Sequence, residues 1–258
     1  MIKTRVIPIL LIQDGLLKKR IKFTDTRTIA NPVTIARVFE ARRTDELIVL
    51  DIGRTVDQED IDQELVHQIA EELHMPFAYG GGIRTLKQIT ETIKSGAEKV
   101  VINTAAVENP QLIKDATEKF GSQCIIVSID AKKKGTSYET YIRSGTKATG
   151  LDPVTHAQQA EKWGAGEILI TSMDNEGTMQ GYDLELLRKV ADAISIPVIA
   201  SGGIGKLDDF VAGVKDGHAS AVAAGSIFHY TPITPNMAKE RMKEAGIPVR
   251  IQNPEYVA

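Results

Sequence analysis

Short apolar runs alternate with longer amphipathic stretches from one end of the chain to the other. The strand-like runs are Arg5–Ile12, Glu46–Ile52, Pro76–Gly80, Lys99–Asn103, Cys124–Asp130, Glu167–Ser172, Pro197–Ser201 and Ser220–Gly225. Helical spacing of apolar residues predicts helices over Pro32–Arg43, Glu59–Leu73, Leu86–Ser95, Pro110–Phe120, Pro153–Trp163, Leu184–Ala193, Leu207–Lys215 and Pro235–Ala245. The strand runs are apolar almost throughout, which implies burial on both faces, as in a parallel sheet covered by helices. Eight strand–helix pairs in 258 residues fit a closed (β/α)8 TIM barrel better than an open sheet. No low-complexity linker or change of composition interrupts the pattern, so a single domain over residues 1–258 is expected.

The two halves of the chain repeat. Pro76-Phe-Ala-Tyr-Gly-Gly-Gly-Ile83 aligns with Pro197-Val-Ile-Ala-Ser-Gly-Gly-Ile204, and the same offset pairs Gly96 with Gly217. It also pairs Asp45-Glu46 with Gly166-Glu167 and Asn103-Thr104 with Ala224-Gly225. Two half-barrels of four βα units each would produce this pattern.

Charge and composition narrow the function. With 31 Lys+Arg against 34 Asp+Glu and a net charge of −3, the chain lacks the basic excess of a nucleic-acid binder. Its single cysteine, Cys124, excludes an intramolecular disulfide and fits a reducing cytoplasm. Cys124 opens a strand run and reads as a core residue. The apolar run Val6–Ile12 contains Pro8 and is far too short to span a bilayer, so no membrane association is expected. The five histidines (67, 74, 156, 218 and 229) have no ligand spacing with one another or with Cys124, which argues against a metal. Gly202-Gly-Ile-Gly-Lys206 resembles a P-loop superficially, but Leu207 stands where a Mg²⁺-binding hydroxyl is needed. No dinucleotide fingerprint opens a helix, and no cofactor is expected.

In a barrel of this kind the chemistry lies where strands end and βα loops begin. Four strand ends carry glycine or small polar residues: Gly80-Gly81-Gly82, Asn103-Thr104, Ser201-Gly202-Gly203 and Gly225-Ser226. Glycine lets backbone approach a phosphate closely, and a helix that starts just beyond offers free N–H groups. Two loop pairs related by the repeat predict two phosphate sites on opposite sides of the mouth, suited to a small molecule phosphorylated at both ends.

Several stretches resemble the cyclase subunit of imidazole glycerol phosphate synthase. They are Phe77-Ala-Tyr-Gly-Gly-Gly-Ile-Arg84, Val101-Ile-Asn-Thr-Ala-Ala106, Ser128-Ile-Asp-Ala-Lys132, Thr171-Ser-Met-Asp174, Gly177-Thr178, Gly181-Tyr-Asp183 and Ile199-Ala-Ser-Gly-Gly203. Phe120-Gly-Ser-Gln-Cys124 and Gly166-Glu-Ile-Leu-Ile-Thr-Ser172 separate that family from the related isomerase of the same pathway. The resemblance covers almost the whole chain.

It implies that a glutaminase partner (HisH-like) releases ammonia, which crosses the barrel interior. At the far mouth the ammonia reacts with the ribulosyl aminoimidazole substrate PRFAR to give imidazole glycerol phosphate and AICAR. The family's charged ammonia gate corresponds to Arg5, Glu46, Lys99 and Glu167, at strand starts. Two cations and two carboxylates at a barrel base also satisfy the description of a structural salt-bridge layer. The family's catalytic pair of aspartates ends the first and fifth strands. Its fifth-strand member is Asp130, and an aspartate after Ile125, Ile126, Val127 and Ile129 is poorly explained by packing. The first-strand member is replaced by Leu11. Asp14 lies three residues further on, in the loop.

Lys19 matches the family's loop lysine, although Arg20 replaces the glycine that normally follows it. Asp51, Ser144, Thr171 and Ser201 are retained, Glu176 substitutes for a substrate-side aspartate, and Gly53-Arg54-Thr55 departs from the family pattern. Leucine cannot transfer a proton, and losing one member of an acid–base pair costs roughly 10²–10⁴ in rate. The sequence therefore admits three roles: a histidine-pathway cyclase, a catalytically silent scaffold, and an ammonia conduit for another enzyme. The last resembles the paralogues of surface-polysaccharide and flagellar-glycan clusters that serve amidino-sugar synthesis.

Overall fold

The computed structural model describes residues 3–54 and 60–251, the side chains of 25 and 26 aside. Strand β1 (Arg5–Gln13) is followed by a hairpin, β2 (Leu16–Ile21) and β3 (Asp25–Ala30), before the chain enters β4 (Leu47–Asp51). Then come β5 (Phe77–Gly80), β6 (Lys99–Ile102) and β7 (Ile125–Lys134). A second excursion, β8 (Ser137–Ile142) and β9 (Lys147–Ala148), precedes β10 (Glu167–Ser172), β11 (Val198–Ser201) and β12 (Ala221–Ala224). Parallel ladders run β1–β4–β5–β6–β7–β10–β11–β12, and β12 pairs back onto β1 with Arg5 opposite Ala221. The result is a closed eight-stranded parallel barrel with helices between the strands, a (β/α)8 TIM barrel.

Local chemistry explains where the helices start. Asn31 accepts from the Val33 amide at 2.9 Å, and Pro32 occupies the first turn of helix Pro32–Ala41. Asp152 with Pro153 and Thr234 with Pro235 repeat that arrangement. In each, a side-chain oxygen satisfies an orphan amide and proline presets the helical φ.

Strand side chains alternate between two cores. Those pointing outward, such as Val6, Leu10, Val49, Phe77 and Tyr79, pack under the helices. Those pointing inward form a smaller interior cluster of Ile7, Ile9, Ile48, Ala78, Val101, Ile126, Leu169, Ile199, Ala221 and Ala223.

Several boundaries differ from the periodicity. The fifth strand of the barrel runs on to Lys134 because β8 pairs with its end, Asp130 opposite Tyr141. Cys124 does not open a buried strand; it closes a 3-10 turn, Ser122–Cys124, and is half-buried. Short helices at Thr104–Glu108 and Ser226–Tyr230 add to those the periodicity predicts. The second predicted helix covers Gln63–Glu71, and its expected start at Glu59 lies outside the described residues, as does Thr55.

From Asp45 and Gly166 onward the repeat holds in register as far as Gly217 and then slips by one residue. Leu50 opposite Gly80 is matched by Thr171 opposite Ser201. The Glu98 amide donates to Phe77 O at 3.1 Å, but its structural mate is Ser220, which donates to Val198 O at 2.9 Å. The extra residue is His218, at φ 61. Asn103-Thr104 therefore correspond in space to Gly225-Ser226, not to Ala224-Gly225.

At one repeat position the halves have diverged for a visible reason. A Cβ at Gly166 would collide with Ser122 O. Its mate Asp45 has room, accepts from the Val6 amide at 3.0 Å, and holds Lys239 of helix Pro235–Glu244 at 3.2 Å. Lys239 is fully buried and also donates to Arg43 O at 3.1 Å. Lys239→Met should cost on the order of 3 kcal/mol by leaving the Asp45 charge without its cation. Urea melting of the variant against the parent checks this.

Candidate active site

A cavity of about 390 Å³ opens where the barrel strands end, within the range of small-molecule sites. Ile9, Leu11, Leu50 and Val101 form an apolar floor. Polar groups stand around it from different loops: Lys19, Asp51, Asn103, Thr104, Ser128, Asp130, Ser144, Thr171, Glu176 and Ser201. Gly81, Gly82 and Gly225 complete the expected residues that reach the cavity.

The first glycine pair is built as a cradle. Gly81 sits at φ 111, where a Cβ would collide with Asp51 O, and its repeat mate Gly202, at φ 94, stands in the same relation to Ser172 O. From the second loop pair, Ser201 and Gly225 border the cavity, while Gly202, Gly203 and Ser226 are outside its lining, and Gly203 packs against Gly181, whose amide donates to Gly203 O at 2.7 Å. Gly177 is also outside the lining; it packs against the backbone of Arg20.

The second pair is screened by the β2–β3 hairpin, which folds across the mouth. Lys19 is buried, pairs with Glu176, and its Nζ comes to 2.9 Å from where a Cβ on Gly225 would sit. The Lys22 amide donates to Glu176 O at 2.8 Å, so the hairpin is stitched to the loop after β10 by backbone as well. On the other side, Ser144 donates to Ile52 O at 2.8 Å, and the Arg143 amide donates to Thr104 Oγ1 at 3.0 Å.

Asp130 stands on the cavity wall, and Leu11 occupies the corresponding place on β1: Leu11 pairs with Leu50 as Asp130 pairs with Thr171. Asn103 approaches it, with Nδ2 donating to Asp130 Oδ2 at 3.4 Å and to Ser128 O at 3.0 Å. Burial pushes the Asp130 carboxyl up to about 7, and the Glu176 carboxylate adds to the effect. A carboxyl so placed can give or take a proton near neutrality. Burial also raises Asp51, partly offset by the Arg54 and Gly53 amides and the Arg54 guanidinium.

The opposite end of the barrel is closed by charge. Arg5 pairs with both Glu46 and Glu167, and Lys99 reaches the same two carboxylates at 2.8 and 2.6 Å. Burial works against these charges. Hydrogen bonds from Arg5 and the fields of Arg5 and Lys99 outweigh it at Glu167, holding that carboxyl below the usual range, while the two glutamates keep Arg5 raised. The four residues expected at the gate thus form one alternating ring. Between ring and cavity lie the inward aliphatic and alanine side chains.

Arg84, Glu108, Arg143, Phe23 and Ile52 also line the cavity, beyond the residues the sequence pointed to. Phe23 belongs to the β2–β3 hairpin and Glu108 to the short helix Thr104–Glu108, two elements that the apolar periodicity does not predict. Among the described residues, no helix is long and apolar enough to cross a membrane, and no group of three or more His, Cys, Asp or Glu could hold a metal ion.

The family model for histidine biosynthesis protein matches residues 5–234, from the ring arginine to the start of the last helix. The chain belongs to the histidine biosynthesis protein family.

Proposed function

We propose that the chain is the cyclase-type subunit of a glutamine-dependent amidotransferase, similar to that of imidazole glycerol phosphate synthase, with its own cyclisation step impaired. The observation that supports this best is the polarity of the barrel: a closed ring of four charges at one end, and at the other a cavity where β7 carries the raised carboxyl of Asp130 and β1 carries Leu11. A glutaminase subunit docks at the ring face and hydrolyses glutamine. Ammonia, small and neutral, passes the ring and the aliphatic interior, where an ion would be excluded by desolvation. In the cavity, the Gly81–Gly82 and Asn103–Thr104 loops take one phosphate of a doubly phosphorylated ligand. Asp130 moves a proton, but no second acid answers it from β1. The protein works as a single cytoplasmic barrel domain without metal or cofactor.

Leu11 favours a second reading, in which ammonia serves an acceptor on another enzyme, such as an amidino sugar of a surface polysaccharide or flagellar glycan. A catalytically silent scaffold would leave the placement of Asp130 without purpose. The test is turnover of PRFAR with ammonium salt at high pH. The expected rate is low, and Leu11→Asp should raise it by a factor of roughly 10² or more. Equal, fast turnover by both proteins would overturn the impairment. Copurification with the glutaminase and stimulation of its activity test the partnership, and failure to form any complex would sink it.

A further inference from the structure

Among the described residues, one cation on the cavity wall lacks a counter-ion. Lys19 is held by Glu176, and Arg143 by Glu108 at 3.0 Å. Arg20 lines the same cavity with no carboxylate partner, and its Nε is buried without a hydrogen-bond acceptor. Burial lowers its pKa, and no acid offsets the effect. A guanidinium stays protonated even so, and a buried charged donor is ordinarily satisfied.

Nor is Arg20 a loosely placed surface group. Its carbonyl abuts Gly177, where a Cβ would collide with it, and the Lys22 amide is bonded to Glu176 O at 2.8 Å. With Lys19 paired to Glu176 as well, the hairpin strand is fixed on both sides of Arg20. Nearby on the sheet, Leu11 lies opposite Lys18 and contributes no charge.

We propose that Arg20 receives an oxyanion of the cavity's ligand, a phosphate or a carboxylate, through the paired donors of its guanidinium. The second anion of the ligand then binds at the hairpin, where Arg20 lines the cavity. This rests on the reading of the cavity as the ligand site, with the first anion at Gly81–Gly82. It makes Arg20 the residue that distinguishes ligands with two anionic ends from ligands with one.

Calorimetric titration of the full chain with three hexose-derived probes tests it. Hexitol 6-phosphate carries one anion, hexitol 1,6-bisphosphate two phosphates, and 6-phosphogluconate a phosphate and a carboxylate. At least one two-anion probe should bind roughly ten-fold or more tightly than the monophosphate, as a charge-assisted hydrogen bond implies. Arg20→Gln should erase that advantage and leave monophosphate binding within about two-fold. Whichever two-anion probe gains more identifies the preferred oxyanion. Arg20→Lys should restore part of the advantage, because charge survives without the planar fork. Melting of unliganded Arg20→Gln at no lower temperature than the parent establishes that it folds.

An unchanged advantage in Arg20→Gln would overturn the assignment, and so would an equal loss for all three probes. Binding of none of the probes would overturn it together with the phosphate part of the proposed function. The ammonia passage is tested separately through the glutaminase, so the two can fail independently.

Discussion

Replacing Asp130 with asparagine is expected to stabilise the protein at pH 8 while abolishing whatever proton transfer the cavity performs. The carboxyl titrates at about 7 in the fold against an ordinary value of 3.8. Between those values the folded chain keeps a proton that the unfolded chain has released, so stability falls as pH rises from about 4 to about 7. Above that window the ionised group destabilises the fold by roughly 4 kcal/mol, at about 1.36 kcal/mol per pH unit. An asparagine in its place would carry no such charge and could still accept from Asn103. Melting temperatures of parent and variant should therefore converge near pH 4 and separate by roughly 10 °C at pH 8. A constant difference across that range would mean that Asp130 is not the group responsible. Glu176→Gln removes the second cause of the shift and should move the fall in stability to lower pH. Any residual PRFAR turnover should drop a further factor of roughly 10²–10⁴ in Asp130→Asn.

Lys99→Met should destabilise the protein by about 3–5 kcal/mol, because it leaves Glu46 and Glu167 to share the single guanidinium of Arg5. Glu46 is almost fully buried, and water cannot easily replace the lost ammonium. Adding Glu46→Gln to Lys99→Met restores a balanced pair, Arg5 with Glu167, and should recover most of the loss. Denaturant titration of the two single variants and the double variant yields the coupling directly. Additive losses would show that the ring is a set of independent contacts. Strong coupling means instead that the four charges stabilise one another as a single network.

Much of the architecture is legible in the chain because it is written locally. The near-continuous apolar runs mark the eight strands, and Asn31-Pro32, Asp152-Pro153 and Thr234-Pro235 mark where helices begin. The repeated glycines place the loop ends, since Gly81 and Gly202 occupy positions that tolerate no Cβ. The polar hairpin β2–β3 escapes because Leu16-Leu-Lys-Lys-Arg-Ile21 shows neither alternation nor a buried run; it is a strand only because β1 offers it an edge. The one-residue slip at His218 escapes because aligned motifs on either side of an insertion look alike until hydrogen-bond partners are compared.

Side-chain type and spacing alone establish the class of fold and the identity of the residues at the strand ends, and the family resemblance marks Leu11 as the place where an acid is expected. It takes the closed barrel to show that Arg5, Glu46, Lys99 and Glu167 form one ring, that Lys19 pairs with Glu176 across the mouth, and that Arg20 faces the cavity unpaired. Those contacts join residues far apart in the chain, so no local pattern encodes them. They exist because closing the barrel brings strand ends and starts together and removes them from water, where the energy of a charge depends on its neighbours in space.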